Sequence, residues 1–316
     1  MICSPYHAPS EQNMALFTFI CKKICTFVRK KEITRTYGMK TMKNQLKLWM
    51  TAAIIAICGT TAFASCTTND DYPAEKQPTI ECIVKRGTLL VGTTGDYRPL
   101  SYREADGNYW GFGIEMAQKI AERIGVGIEY VQTSWPTLTA DVQAEPQIFD
   151  LAIGGITITD TRKETMLMSD GYLANGKTIL CRTADADRYQ SLADLDKPEV
   201  RVMVNPGGLN EKFANGHLPH ATIIVWQKNE EIPNQVAEGN ADVMITEITE
   251  APWYVQNDSR LAAPLIGNPF THGEIGVLMR KGQDDLLALV NTVIAQMKAD
   301  GTLRKLHEKY GLIYRY

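Results

Sequence analysis

The apolar positions change period along the chain, and each change marks an element. Residues 88–94 (TLLVGTT) form a short apolar run that reads as a strand, and Gly95, Asp96, Tyr97, Arg98 and Pro99 break it into a loop. Over residues 111–125, Ile114, Ala117, Ile120, Ala121 and Ile124 recur at helical spacing, and Gly125 supplies a stop. Strands follow at 126–133 and 149–154, and a strand-like piece lies near 178–181. A charged linker, 183–199, holds a short helical pattern at Leu192 and Leu195. The alternation then restarts with strand 200–204, a helix through Phe213, strand 221–226, a short helix around 232–238 and strand 242–246. Residues 275–279 are one more strand. Leu286, Leu287, Val290, Ile294 and Met297 predict a long helix stopped by Gly301, and Thr302 caps a last one. Strands alternating with helices predict an α/β fold of mostly parallel sheets covered on both faces, and two such runs around a linker predict two lobes.

The N-terminal segment follows another logic. Lys40, Lys43 and Lys47 precede an apolar run over 48–58, then small residues up to Ser65 and Cys66. This is a signal peptide over 39–65, too short in its apolar part for a membrane span of ~20 residues. Ala62 and Ala64 suit cleavage after Ala64. Ser65–Cys66 also resembles a bacterial lipoprotein box, which would place lipid on Cys66 and anchor the protein to the membrane. Residues 1–38 then read as an upstream extension from a start codon set too early, and the polar stretch 66–82 as a tether. The implied location is periplasmic.

The chain has 316 residues, 44% hydrophobic, with net charge -3. No basic stripe with interleaved aromatics is present, so nucleic acid is set aside. No Cys or His cluster has metal-ligand spacing, so no metal and no cofactor are expected. If Cys66 carries lipid, Cys82 and Cys181 are the cysteines of the mature fold, either as a disulfide or as two separate thiols.

Candidate chemistry gathers in ADVMITEITEAPW, residues 241–253. A buried strand runs into a helix for which Thr246 is a candidate N-cap, and Glu247 and Glu250 sit at the junction. The carboxyl ends of strands are where open α/β sheets place ligands. A glutamate removed from water there can hold its proton and act as an acid; the plain alternative is two acids favouring a helix start.

Several segments resemble a known family. TTGDYRPLSY (93–102), GFGIEMA (111–117), GGITIT (154–159) followed by Arg162, and the C-terminal strand and helices resemble the type II periplasmic solute-binding fold of polar amino-acid transport. TSWP (133–136), NGKT (175–178), NPGGLNEKFA (205–214) and ITEITEA (245–251) are similar to its cyclohexadienyl dehydratase branch. The resemblance covers about 83–316. It implies two crossover hinge strands near 177–182 and 270–276, lobe 1 over 83–182 plus 271–316, and lobe 2 over 183–270. It implies decarboxylating dehydration of prephenate to phenylpyruvate, or of arogenate to phenylalanine, without a cofactor.

Roles follow from the same resemblance. Arg162 would clamp a ligand carboxylate through its planar donor pair, with Thr157 beside it. Glu250 would be the general acid, with Lys177 and Asn205 as its catalytic neighbours. Trp135, Asp96, Tyr97, Glu247 and Asn210 would contact substrate. Glu247 stands where the branch tends to carry Asp. The expected partner is a small carboxylate-bearing molecule, and homo-oligomerisation is compatible with the sequence. The rival reading is a non-catalytic amino-acid-binding lipoprotein that delivers its ligand to an ABC permease.

Overall fold

The computed structural model describes residues 79–316. The signal peptide, Cys66 and most of the tether lie outside the described residues. The tether expected up to residue 82 gives way at Thr79 to a helix, α1 (Thr79–Arg86). Its apolar side anchors Ile83 in the first core.

The chain then builds β1 (Thr88–Thr93), the small meander β2 (Asp96–Tyr97), β3 (Ser101–Arg103) and β4 (Tyr109–Trp110), and α2 (Phe112–Ile124). Gly125 ends α2 in the left-handed region at φ 85, as its position suggests. There follow β5 (Gly127–Gln132), α3 (Leu138–Val142), β6 (Leu151–Ala152), α4 (Asp160–Thr165) and β7 (Met166–Met168). Next come β8 (Leu173–Asn175), β9 (Lys177–Arg182), α5 (Leu192–Leu195), β10 (Arg201–Val204), α6 (Leu209–His217) and β11 (Thr222–Val225). The chain continues with α7 (Ile232–Ala237), β12 (Val243–Glu247), α8 (Ala251–Asn257) and β13 (Leu261–Ala262). It finishes with β14 (Gly273–Ile275), β15 (Leu278–Arg280), α9 (Asp284–Ala299) and α10 (Thr302–Lys309).

Two five-stranded sheets result, in the orders β5-β1-β6-β15-β7 and β11-β10-β12-β9-β13. Strands β5, β1 and β6 pair in parallel, as do β11, β10 and β12. The C-terminal β15 returns antiparallel between β6 and β7, which places the end of the chain in lobe 1. The inner strands of each sheet are buried on both faces, while the edge strands β5 and β11 stay partly exposed. In β12, Val243 and Ile245 face the cluster of Phe213 and Leu218, while Met244 faces Ile232 and Val236. That alternation is the two-residue period of a strand read against two helical layers.

The structure moves the hinge and the junction. Lys177–Arg182, expected in lobe 1 and at the hinge, is the strand β9 of the second sheet, paired antiparallel with β12. The two-stranded ribbon β8–β14 joins the lobes: β14 lies within the expected crossover 270–276, and β8 takes the place expected for 177–182. The strand expected over 275–279 is two strands interrupted at Gly276. Thr246 is not an N-cap: it is the fourth residue of β12, and α8 begins after Glu250, with Pro252 in its first turn. Proline at that position gives up no helical hydrogen bond, so it sets the start.

Candidate active site

Strand ends from both lobes converge on one cleft. Lobe 1 supplies Tyr97, Trp135, Thr157 and Arg162; lobe 2 supplies Lys177, Asn205, Asn210, Asn229 and Glu247. Glu247 is the last residue of β12, and Asn205 follows the last residue of β10. The carboxyl-end rule for open sheets therefore holds in both places.

Glu247 is the hub. Its carboxylate is 2.6 Å from Lys177 Nζ, accepts a hydrogen bond from Thr157 Oγ1 at 3.2 Å, and accepts a short one from the Tyr97 hydroxyl. Tyr97 and Thr157 belong to lobe 1, so these bonds close the cleft across its width. Lys177 Nζ also donates to Asn210 Oδ1 at 2.6 Å, and Asn210 Nδ2 donates to Asn205 Oδ1 at 3.3 Å. Trp135 lies edge-on to Tyr97, ring centroids 5.7 Å apart, and its indole N–H donates to Asp96 Oδ1 at 3.1 Å. Asp96 thus stands behind Trp135 and is not part of the cleft lining.

Arg162 opens the cleft end of α4, where Thr159 Oγ1 accepts from its backbone N–H. Its guanidinium donates to the Thr157 carbonyl at 2.6 Å. Among the described residues it has no carboxylate partner within 4.0 Å. Burial lowers its pKa, and the Glu247 charge works the other way. The cleft therefore carries one paired and one unpaired cation against a single facing carboxylate, which suits an anionic ligand.

The two glutamates differ sharply. Burial pushes Glu247 upward, but the charge and hydrogen bond of Lys177, with the Tyr97 and Asn175 bonds, outweigh it and hold the pKa below its ordinary value. Glu250 is fully buried, and burial raises it to about 8, with the Glu247 charge adding to the rise. Glu250 thus keeps its proton near neutral pH. It does not line the cleft, however. The expectation placed both glutamates at the ligand; Glu247 lines the cleft as expected, and Glu250 lies one layer behind it. Thr246 Oγ1 bonds to Glu250 Oε2 at 2.5 Å, and Asn229 Nδ2 donates to Oε1 at 2.9 Å. The cause is the late start of α8, which leaves Glu250 at the N-cap position with its side chain turned into the protein interior.

Asn229 carries no sequence signal. It is buried in the short 3-10 turn Asn229–Glu231, and its amide reaches both Glu250 and, across the lobes at 3.1 Å, the Asp96 carbonyl. Gly207, in the NPGG turn, has φ 72, and a Cβ there would meet Pro136 of the opposite lobe at 2.6 Å. The lobes are closed: the space at the centre is only about 20 Å³, room for about one water.

Cys181 is buried as a free thiol on β9, so it forms no disulfide with Cys82.

The profile of the bacterial extracellular solute-binding proteins, family 3, matches residues 89–313, and the chain belongs to this family, with its type II periplasmic binding-protein fold. Within it, the chain is similar to both catalysts and carriers. It is 39% identical over 204 residues to a cyclohexadienyl dehydratase of Pseudomonas aeruginosa, covering 65% of this chain and 75% of that protein. It is 30% identical over 228 residues to the L-cystine-binding protein TcyJ of Escherichia coli, covering 72% and 84%. An ancestral amino acid-binding protein, a precursor of cyclohexadienyl dehydratase, superposes with a TM-score of 0.67 at 39% identity, covering 73% of this chain and 99% of that one.

Proposed function

We propose that the protein is an exported dehydratase of the cyclohexadienyl type, acting on prephenate without a cofactor. The observation that carries this reading is the buried Lys177–Glu247 pair at 2.6 Å. A carrier of amino acids uses an acidic side chain to hold the ligand ammonium. Here the protein's own ammonium already occupies that carboxylate, and Lys177 and Glu247 are each almost fully buried. A keto acid with two carboxylates suits this cleft better than a ligand that brings its own ammonium, which also favours prephenate over arogenate.

In this reading Arg162 takes the side-chain carboxylate as a planar pair of hydrogen bonds. Lys177 turns toward the second carboxylate of the ligand. Glu247 then loses the partner that holds its pKa down, and burial, the largest influence on it, raises the pKa and loads the proton. The protonated Glu247 gives its proton to the ring hydroxyl, which leaves as water. The ring carboxylate leaves as carbon dioxide, and the electron pair of its broken C–C bond completes the aromatic ring. One proton is consumed per turnover, and Glu247 regains it from solvent. Trp135 and Tyr97 form the wall for the ring. Glu250, neutral and buried, holds Asn229 in place.

The test is conversion of prephenate to phenylpyruvate by the purified protein in the presence of a chelator and no added cofactor. Product formation is expected. No turnover, together with tight binding of an amino acid, would instead favour a carrier for an ABC permease.

A further inference from the structure

A second cavity lies on the hinge side of the cleft, with a volume of about 380 Å³. That is within the ~300–1,000 Å³ typical of small-molecule sites, and far larger than the collapsed centre. Its walls come from both lobes and both strands of the hinge ribbon, and it meets the central site at Thr157, Lys177 and Glu247.

Its chemistry is two-sided. One wall is apolar: Ile158, Leu209 and Phe213, the last stacked between His217 at 4.3 Å and Phe270 at 5.9 Å. The mouth is basic, formed by Lys212, His217 and His272. Among the described residues, neither Lys212 nor His272 makes an ion pair or side-chain hydrogen bond. The lining has one acid, Glu247, and its charge is already met by Lys177. An apolar wall beside the unpaired ammonium of Lys212 matches a ring carrying one carboxylate.

We propose that this hinge-side cavity is a second ligand site, which takes an aromatic monocarboxylate. It is distinct from the central clamp at Arg162 and stands whether or not the central cleft performs chemistry. Because its walls belong to both lobes and to the hinge, its occupant sets how far the lobes open.

The probe is 3-phenylpropanoate, an aryl carboxylate with no group to eliminate, titrated into the purified protein by calorimetry. Wild type is expected to bind it, and Arg162→Ala, which removes the central clamp, is expected to bind it at the cavity with little change. Lys212→Glu, an exposed position whose reversal spares the core, is expected to weaken this binding about tenfold or more, the scale of one charge-assisted contact. His272→Ala is expected to weaken it less. The proposal is overturned if wild type does not bind the probe, if Arg162→Ala abolishes binding, or if Lys212→Glu leaves the affinity unchanged. The turnover test addresses the central site alone, so the two proposals fail separately.

Discussion

Glu247 and Glu250 are three residues apart, yet their surroundings drive them to opposite protonation states. Glu247 has a lysine against it; Glu250 has only neutral donors and the neighbouring negative charges of Glu247 and Asp96. The raised pKa of Glu250 has a thermodynamic sign. An acid that binds its proton more tightly folded than unfolded contributes stability that is fully present at low pH. That stability is lost as pH climbs from the ordinary value of 4.5 toward about 8. The contribution is up to ~1.4 kcal/mol per pH unit across that window. Glu250→Gln, which cannot ionise but keeps the size and the amide contacts, is expected to flatten the fall in melting temperature between pH 5 and 8; an unchanged slope would show that Glu250 is ionised in the native protein. Arg162 is the other residue with a defined cost. Truncation to alanine is expected to weaken binding of a dicarboxylate substrate by about 2–5 kcal/mol, measured by calorimetry, while the protein folds normally.

At the scale of elements, what the sequence discloses depends on whether a feature is periodic. The helix Phe112–Ile124 and strands β1, β5, β10 and β12 follow from their apolar spacing. The family motifs then account for the return of β15 to the first sheet, which no local pattern contains. Of the two expected crossovers, 177–182 falls in the second sheet because its apolar run reads the same whichever sheet receives it, and pairing with β12 is a long-range choice. The burial of Glu250 behind the cleft is not legible in the sequence for a related reason: the facing of each side chain depends on where α8 starts, and the junction offers several starts. Asn229 was invisible because a single asparagine in a turn carries no period. One turn in the motifs does make a prediction. Gly207 combines φ 72 with contact on Pro136 across the lobes, so Gly207→Val is expected to hinder closure as well as strain the turn by about 1–2 kcal/mol. Substrate affinity should fall at least tenfold in calorimetry, while far-UV circular dichroism stays unchanged.

For the whole molecule, the β8–β14 ribbon joins the two sheets, and the closed arrangement carries the Trp110–Trp253 ring contact and a few polar bonds between lobes. These are the Tyr97–Glu247 and Thr157–Glu247 bonds and the Asn229–Asp96 bond. At ~0.5–1.5 kcal/mol net each, their loss shifts a balance between open and closed forms without unfolding either lobe. Asn229→Ala is expected to increase the radius of gyration of the ligand-free protein in small-angle X-ray scattering, with saturating ligand restoring the compact value. In the proposed mechanism, closure also excludes water from the acid, so that its pKa would climb once Lys177 turned to the ligand.

The most direct test is the rate of prephenate dehydration by Glu247→Gln, with Glu250→Gln run beside it. A proton supplied by Glu247 predicts a loss of about 10²–10⁴ in kcat for Glu247→Gln, with substrate still bound, and a much smaller loss for Glu250→Gln. A Glu247→Gln variant that turns over prephenate at close to the wild-type rate would contradict the account.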